Sequence, residues 1–224
     1  MDTTSSAMAR TLHLLAKHPD IQETLRQELR TAADEAEDAD IPYETLISLP
    51  YLDAVCRETL RLHPPVPFTM RVAQQDTVIS LSKPVTGRDG SRMQEIPITR
   101  GTHIFIPITT SNTNPDLWLE DAREWKPERW LSPLPETLLS ARVPGVYSHL
   151  MTFIAGNRAC IGFTMAQLEM KVVLSVLIQS LSFAPALRDS EIFWQMNTVV
   201  APVVGKNPHP ELPLIVTPVC ADTG

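Results

Sequence analysis

The residues best suited to chemistry lie in one ten-residue run, Phe153-Ile154-Ala155-Gly156-Asn157-Arg158-Ala159-Cys160-Ile161-Gly162. Cys160 lies at the start of a long helical pattern. Free amide N–H groups and the positive end of a helix dipole favour an anion there, so the site favours thiolate, the form of cysteine that binds metals and attacks electrophiles. Gly156 permits a tight backbone turn, and Gly162 lets a flat ligand approach the helix closely. Arg158 suits an acidic group on such a ligand. Two other readings of Cys160 stand beside this one: a small buried core residue, and a catalytic nucleophile. The nucleophile wants a histidine base. None of the six histidines has a partnering motif, and His149, the nearest in sequence, reads as a solvated loop residue. Cys56 and Cys220 read as ordinary small buried side chains. Three widely spaced cysteines without a CxxC supply neither a disulfide framework nor a structural zinc site.

A second constellation sits on a helix expected at about residues 50–62. At 100° per residue, Tyr51, Ala54, Val55 and Leu62 share one face, and Glu58 falls in its middle. A carboxylate among apolar neighbours must be paired. Arg61, three residues on, is within reach, and its five donors call for a further partner such as a carbonyl. Asp53 and Arg57 read as an exposed pair worth a few tenths of a kcal/mol, roughly.

The elements that must position these residues follow from period and punctuation. Helices are expected at 3–16 and 19–33. Pro19 suits a first helical position, and Ile21, Leu25 and Leu29 recur every four residues on an otherwise charged, surface-lying helix. A turn spans about Pro42 to Ile47. The 50–62 helix stops at Pro64 and Pro65. Short strands are expected at Val66–Val72, Thr77–Leu81, Glu95–Ile98 and His103–Ile108, with turns between Lys83 and Arg92. Residues 112–150 read as irregular, with a short helix near Pro115 to Asp121 and with Trp118, Trp125 and Trp130 as local core. A long helix is expected at about 160–181, with Ile161, Met165, Leu168, Val172 and Val176 on its buried face. The tail reads as short strands and loops. The fold class is mainly α with small antiparallel β-sheets, in one domain.

Composition narrows the function. The 224 residues carry a formal charge of −7, which argues against nucleic acid as a general partner. The acidic cluster Asp34, Glu35, Glu37, Asp38 and Asp40 reads as a solvated loop. There is no apolar run of spanning length and no signal-peptide pattern at the start.

The motifs together resemble one family. Phe153-x-x-Gly156-x-Arg158-x-Cys160-x-Gly162 resembles the haem-binding loop of cytochrome P450s, complete at its fixed positions. Glu58-Thr-Leu-Arg61 resembles the family's ExxR, and Pro127-Glu128-Arg129-Trp130 its meander motif. Order and spacing agree, and Gly162, Met165, Ala166 and Glu169 continue the pattern. Asp2-Thr3 resembles the acid–alcohol pair of the distal helix, although on residue type alone it is an ordinary helix cap. Arg71 resembles the strand arginine that binds a haem propionate. The whole chain, 1–224, is similar to the C-terminal half of the fold. It has a distal-helix remnant at 1–16, the ExxR helix at about 50–62, a meander at about 112–150, and the haem-thiolate loop at 153–162.

The resemblance implies haem b (iron protoporphyrin IX) with Cys160 as its metal ligand. Phe153, Gly156 and Gly162 shape the loop, and Arg71 and Arg158 hold propionates. Glu58, Arg61 and Arg129 form a structural triad. Asp2 and Thr3 deliver protons. It implies a monooxygenase that inserts one oxygen atom of O2 into a small organic substrate, with electrons from NADPH through NADPH-cytochrome P450 reductase. Phe68, Met70 and Asn197 to Val200 match segments that line the substrate pocket, with plain core packing as the other reading. A full-length relative is expected at the endoplasmic reticulum membrane. The family's front half, with its anchor, has no counterpart here, so a truncated form with impaired turnover is expected. A haem binder without turnover and an inert fragment are the alternatives.

Overall fold

The structure is a computed structural model that describes residues 2–36, 40–141, 143–187, 189–207 and 209–219. Cys220 and part of the acidic cluster, Glu37 and Asp38, lie outside the described residues. In chain order the elements are α1 (Asp2–Lys17), α2 (Pro19–Asp34), α3 (Tyr43–Ser48), α4 (Pro50–Leu62), β1 (Phe68–Val72), β2 (Thr77–Thr86), β3 (Arg92–Ile98), β4 (His103–Pro107), α5 (Ile108–Asn112), α6 (Pro115–Trp118), α7 (Glu136–Leu139), α8 (Phe163–Ser180), β5 (Leu181–Pro185), β6 (Ile192–Met196), β7 (Val200–Val204) and β8 (Leu214–Pro218). Among the described residues the strands make four two-stranded antiparallel sheets, β1–β4, β2–β3, β5–β8 and β6–β7. The fold is mainly α with small antiparallel sheets. Among the described residues, no helix is long and apolar enough to cross a membrane.

The chain divides into two compact units: Phe68–Pro107, and Met1–Pro67 with Ile108–Gly224. The smaller holds β1 to β4. Its β2 runs on to Thr86, through residues expected to turn, and its register with β3 shifts between Ser80 and Val85. Pro84 lies in that irregular stretch, where no ladder N–H is needed. The chain reverses over Gly87–Ser91, with Gly90 at φ +82°.

The larger unit is built on α1, α2, α4 and α8. Pro19 and Pro50 open α2 and α4 at positions where a missing N–H costs nothing. Leu15, Leu25, Leu29, Leu52, Val55, Leu174 and Ile178 are fully buried in one core. Each such side chain contributes about 1.5–3 kcal/mol by leaving water. No side chain at Leu49 caps α4. The Glu28 carboxylate of α2 accepts from Tyr51 N and Leu52 N instead, each at 2.8 Å.

Three expectations change. Residues 43–48, expected as a turn, form a short α-helix. The surface helix α2 buries Gln22 and Arg26 beside its leucines. Gln22 bridges Leu15 O and both backbone polar groups of Phe183, and Arg26 Nε donates to Ile178 O at 2.9 Å, near the end of α8. On α8 the buried residues are Met170, Lys171, Leu174, Ser175 and Ile178, whereas Met165, Val172 and Val176 are exposed, Leu168 is half-buried, and Ile161 is exposed ahead of the helix. Apolar residues are spread round this helix, so periodicity could not say which stripe the fold covers.

Candidate functional site

On α4, Glu58 and Arg61 are completely buried and paired twice: Arg61 Nη2 to Glu58 Oε1 at 2.7 Å, and Nε to Oε2 at 2.8 Å. The remaining guanidinium donors reach carbonyls of Asn112 (3.1 Å), Ala122 (2.5 Å) and Glu124 (3.0 Å). All five donors are therefore satisfied, which is the condition for keeping this charge out of water. Glu58 also accepts from Lys126 N (3.0 Å), Trp130 Nε1 (3.0 Å) and Arg129 Nε (3.4 Å). Arg129 closes the knot on Asp121, bonding its carboxylate at 2.7 Å and its carbonyl at 2.9 Å. Burial opposes the charge on Arg129, but the bonds to Asp121 and the field of Glu58 raise its pKa, while Arg129 lowers that of Asp121. One helix thus gathers the irregular stretch from Asn112 to Leu131.

The knot also reaches the cysteine loop. Asn112, whose carbonyl holds Arg61, uses its side chain to accept from Met151 N (2.8 Å) and to donate to Thr152 Oγ1 (2.9 Å). Thr152 Oγ1 donates in turn to Leu60 O at 2.8 Å. Arg57 Nη1 donates to Ser148 Oγ at 2.6 Å. Gly145 lies so close to Leu150 that a Cβ would stand 1.9 Å from its carbonyl oxygen. Ser148, His149 and Ile154 hold positive φ, and Ile154 is β-branched, a conformation that surrounding contacts must enforce. Gly156 also has positive φ, +70°, which its lack of a Cβ allows.

Cys160 ends this braced loop. Its amide donates to Phe153 O at 2.9 Å, and the Phe153 ring packs on Tyr147 and Phe163. The helix begins at Phe163, later than expected, so Cys160 stands before it, not within it. Its amide is spent on Phe153 and is not available to its own sulfur. The side chain is an exposed free thiol lining a cavity of about 490 Å³ with Thr3, Thr4, Phe153, Gly162 and Met165. A Cβ added at Gly162 would meet nothing within 4 Å. Among the described residues, no group of three or more His, Cys, Asp or Glu could hold a metal ion. One thiol beside an open apolar wall instead fits a metal that brings its other ligands on a flat macrocycle. The exposed residues of α8, Met165 and Val172, belong to that wall. Cys56 differs in kind: it is fully buried, and desolvation raises its pKa to about 12, which keeps it an inert thiol.

The other expected residues are distributed as follows. Arg158 is exposed in a 3-10 turn, Gly156–Arg158. Asp2 and Thr3 part company: Thr3 lines the Cys160 cavity, whereas Asp2 lines one of about 450 Å³ with Ser6, Asn197 and Val199. Arg71 belongs to the smaller unit, where its Nη1 donates to Thr69 Oγ1 at 3.0 Å and Met70 O at 2.9 Å. Asp53 and Arg57 are not an isolated exposed pair, because the buried Lys171 of α8 also bonds Asp53 at 2.8 Å. Sequence reasoning missed Asn112, Thr152 and the hydrogen bond of Trp130. Only Trp130, adjacent to Arg129, carried a signal.

The cytochrome P450 family model matches residues 1–205. The chain is 56% identical over 214 residues to cytochrome P450 monooxygenase 91 of Postia placenta, covering 96% of this chain and 39% of that protein. It is 53% identical over 208 residues to the ganoderic acid synthetase of Ganoderma lucidum, covering 92% and 38%. Among solved structures, a crystal structure of a cytochrome P450 aligns with 97% of this chain and 42% of its own, at TM-score 0.71 and 26% identity. The chain thus spans well under half the length of these relatives. The family match extends over nearly all of it and includes both the Glu58–Arg61–Arg129 knot and the Cys160 loop: the chain belongs to the cytochrome P450 family.

Proposed function

We propose that this chain is the haem-thiolate part of a monooxygenase that inserts one oxygen atom of O2 into a small organic substrate. Electrons would come from NADPH through a reductase, and the full-length protein would sit at the endoplasmic reticulum membrane. The observation that carries the reading is an exposed free thiol, on a loop braced by a buried ion-pair knot, opening on an apolar cavity. Haem b, when bound, supplies the oxygen chemistry at its iron.

The chain's own residues hold and orient. Cys160 would donate its sulfur to the metal, while Phe153 fixes the loop through its carbonyl and its ring contacts. Gly162 would leave room for the macrocycle edge, and Arg158 would pair with one of its carboxylates. Thr3 places a hydroxyl on the same cavity, where it can hold water and pass a proton, and Asp2 would supply that proton from the neighbouring cavity.

The reading is tested by the carbon monoxide difference spectrum of the reduced protein. A red-shifted, thiolate-type Soret band is expected. It should vanish in Cys160→Ala and persist in Cys56→Ala. A chain that takes up no haem, or a band that survives the loss of Cys160, ends the proposal.

A further inference from the structure

Arg10, on α1, is a partly buried cation that forms no ion pair among the described residues. Among the described residues its Nε has no hydrogen-bond acceptor. The guanidinium carbon lies 3.5 Å from the centroid of the Trp194 ring, which offsets part of the desolvation but accepts no directed N–H bond. Burial lowers its pKa to about 9, so it remains charged at neutral pH. Asp189 is engaged by His13 Nε2 at 2.7 Å and Lys17 Nζ at 3.0 Å.

Beside Arg10 is a cavity of about 160 Å³, bounded by His63, Ser6, Trp194, Leu62 and Pro64. Among the described residues no aspartate or glutamate lines it. Burial, then the charges of Arg10 and Arg61, push the pKa of His63 down to about 3, so it presents a neutral imidazole with one N–H to donate. Ser6 gives its hydroxyl proton to Val200 O. The space therefore has a fixed positive charge, an imidazole donor and apolar walls. A single water occupies about 30 Å³ of liquid, so there is room for more than one. A planar guanidinium matches a planar carboxylate better than a spherical halide.

We propose that this cavity binds the carboxylate end of a small organic acid, with Arg10 as its cation and His63 as a second donor. The cavity shares no lining residue with that of Cys160, so the proposal does not rest on haem uptake.

Acetate is the probe, titrated into the full chain at constant ionic strength held with chloride. Two readouts serve: calorimetry, and the arginine Nε–H signals of ¹⁵N-labelled protein. One buried Nε–H signal should move saturably with millimolar acetate. Arg10→Lys should remove that signal and weaken acetate binding at least ten-fold. Lys206→Gln, at an exposed cation, should change neither. No saturable movement in the unaltered chain, or unchanged affinity in Arg10→Lys, overturns the proposal and leaves the cavity to water. If Arg10→Lys does not fold, the Nε–H titration of the unaltered chain decides alone.

Discussion

Glu58 and Arg61 give up all contact with water, and every donor and acceptor lost to solvent is replaced inside the fold. Such a pair is asymmetric in its consequences. Kept whole, it adds little net stability; broken, it leaves a bare charge in the core. Arg61→Ala should therefore cost about 3–5 kcal/mol in urea unfolding. Arg61→Lys should recover little, because three ammonium donors cannot serve five acceptor positions on three chain segments. Lys126→Gln, which removes an exposed partner of Asp121, should cost much less. This pair was legible in the residues themselves, because a carboxylate centred on an apolar face demands a cation one turn away. The role of Asn112 was not. An asparagine in an irregular stretch looks like any turn former, and its partners are Arg61 and the loop at Met151 and Thr152.

At the level of elements, most of the helices follow from period, proline and burial, but how their ends are satisfied does not. The N-terminus of α4 lacks a local cap and is held by Glu28 from α2. Glu28→Ala should lower stability by about 0.5–2 kcal/mol, the usual worth of a cap, measured as a shift in the unfolding midpoint with the slope unchanged. The same logic governs α8, whose two apolar stripes are alike in sequence. Leu174 and Ile178 meet the core, and Met165 and Val172 meet the cavity, because α1, α2 and α4 already occupy one side.

For the molecule as a whole, acid should act through His63. Its folded pKa is held near 3 by burial and by the charges of Arg10 and Arg61, against about 6.5 when unfolded. Between those values the unfolded chain binds the extra proton. This contribution is complete above pH 6.5 and is lost as pH falls, by up to about 1.4 kcal/mol per unit. A pH series of unfolding free energies should show this slope, and His63→Asn should flatten it. The sequence by itself determined the family, the mainly helical class, the Glu58–Arg61 pairing and the loop that presents Cys160, because these depend on local spacing and on what a buried charge requires. Only the tertiary structure decided which face of α8 is covered, that Asp2 and Thr3 border different cavities, that residues 68–107 form a unit of their own, and that Arg10 Nε finds no acceptor among the described residues. Each of these depends on where distant segments come to rest, and neither propensity nor periodicity carries that information.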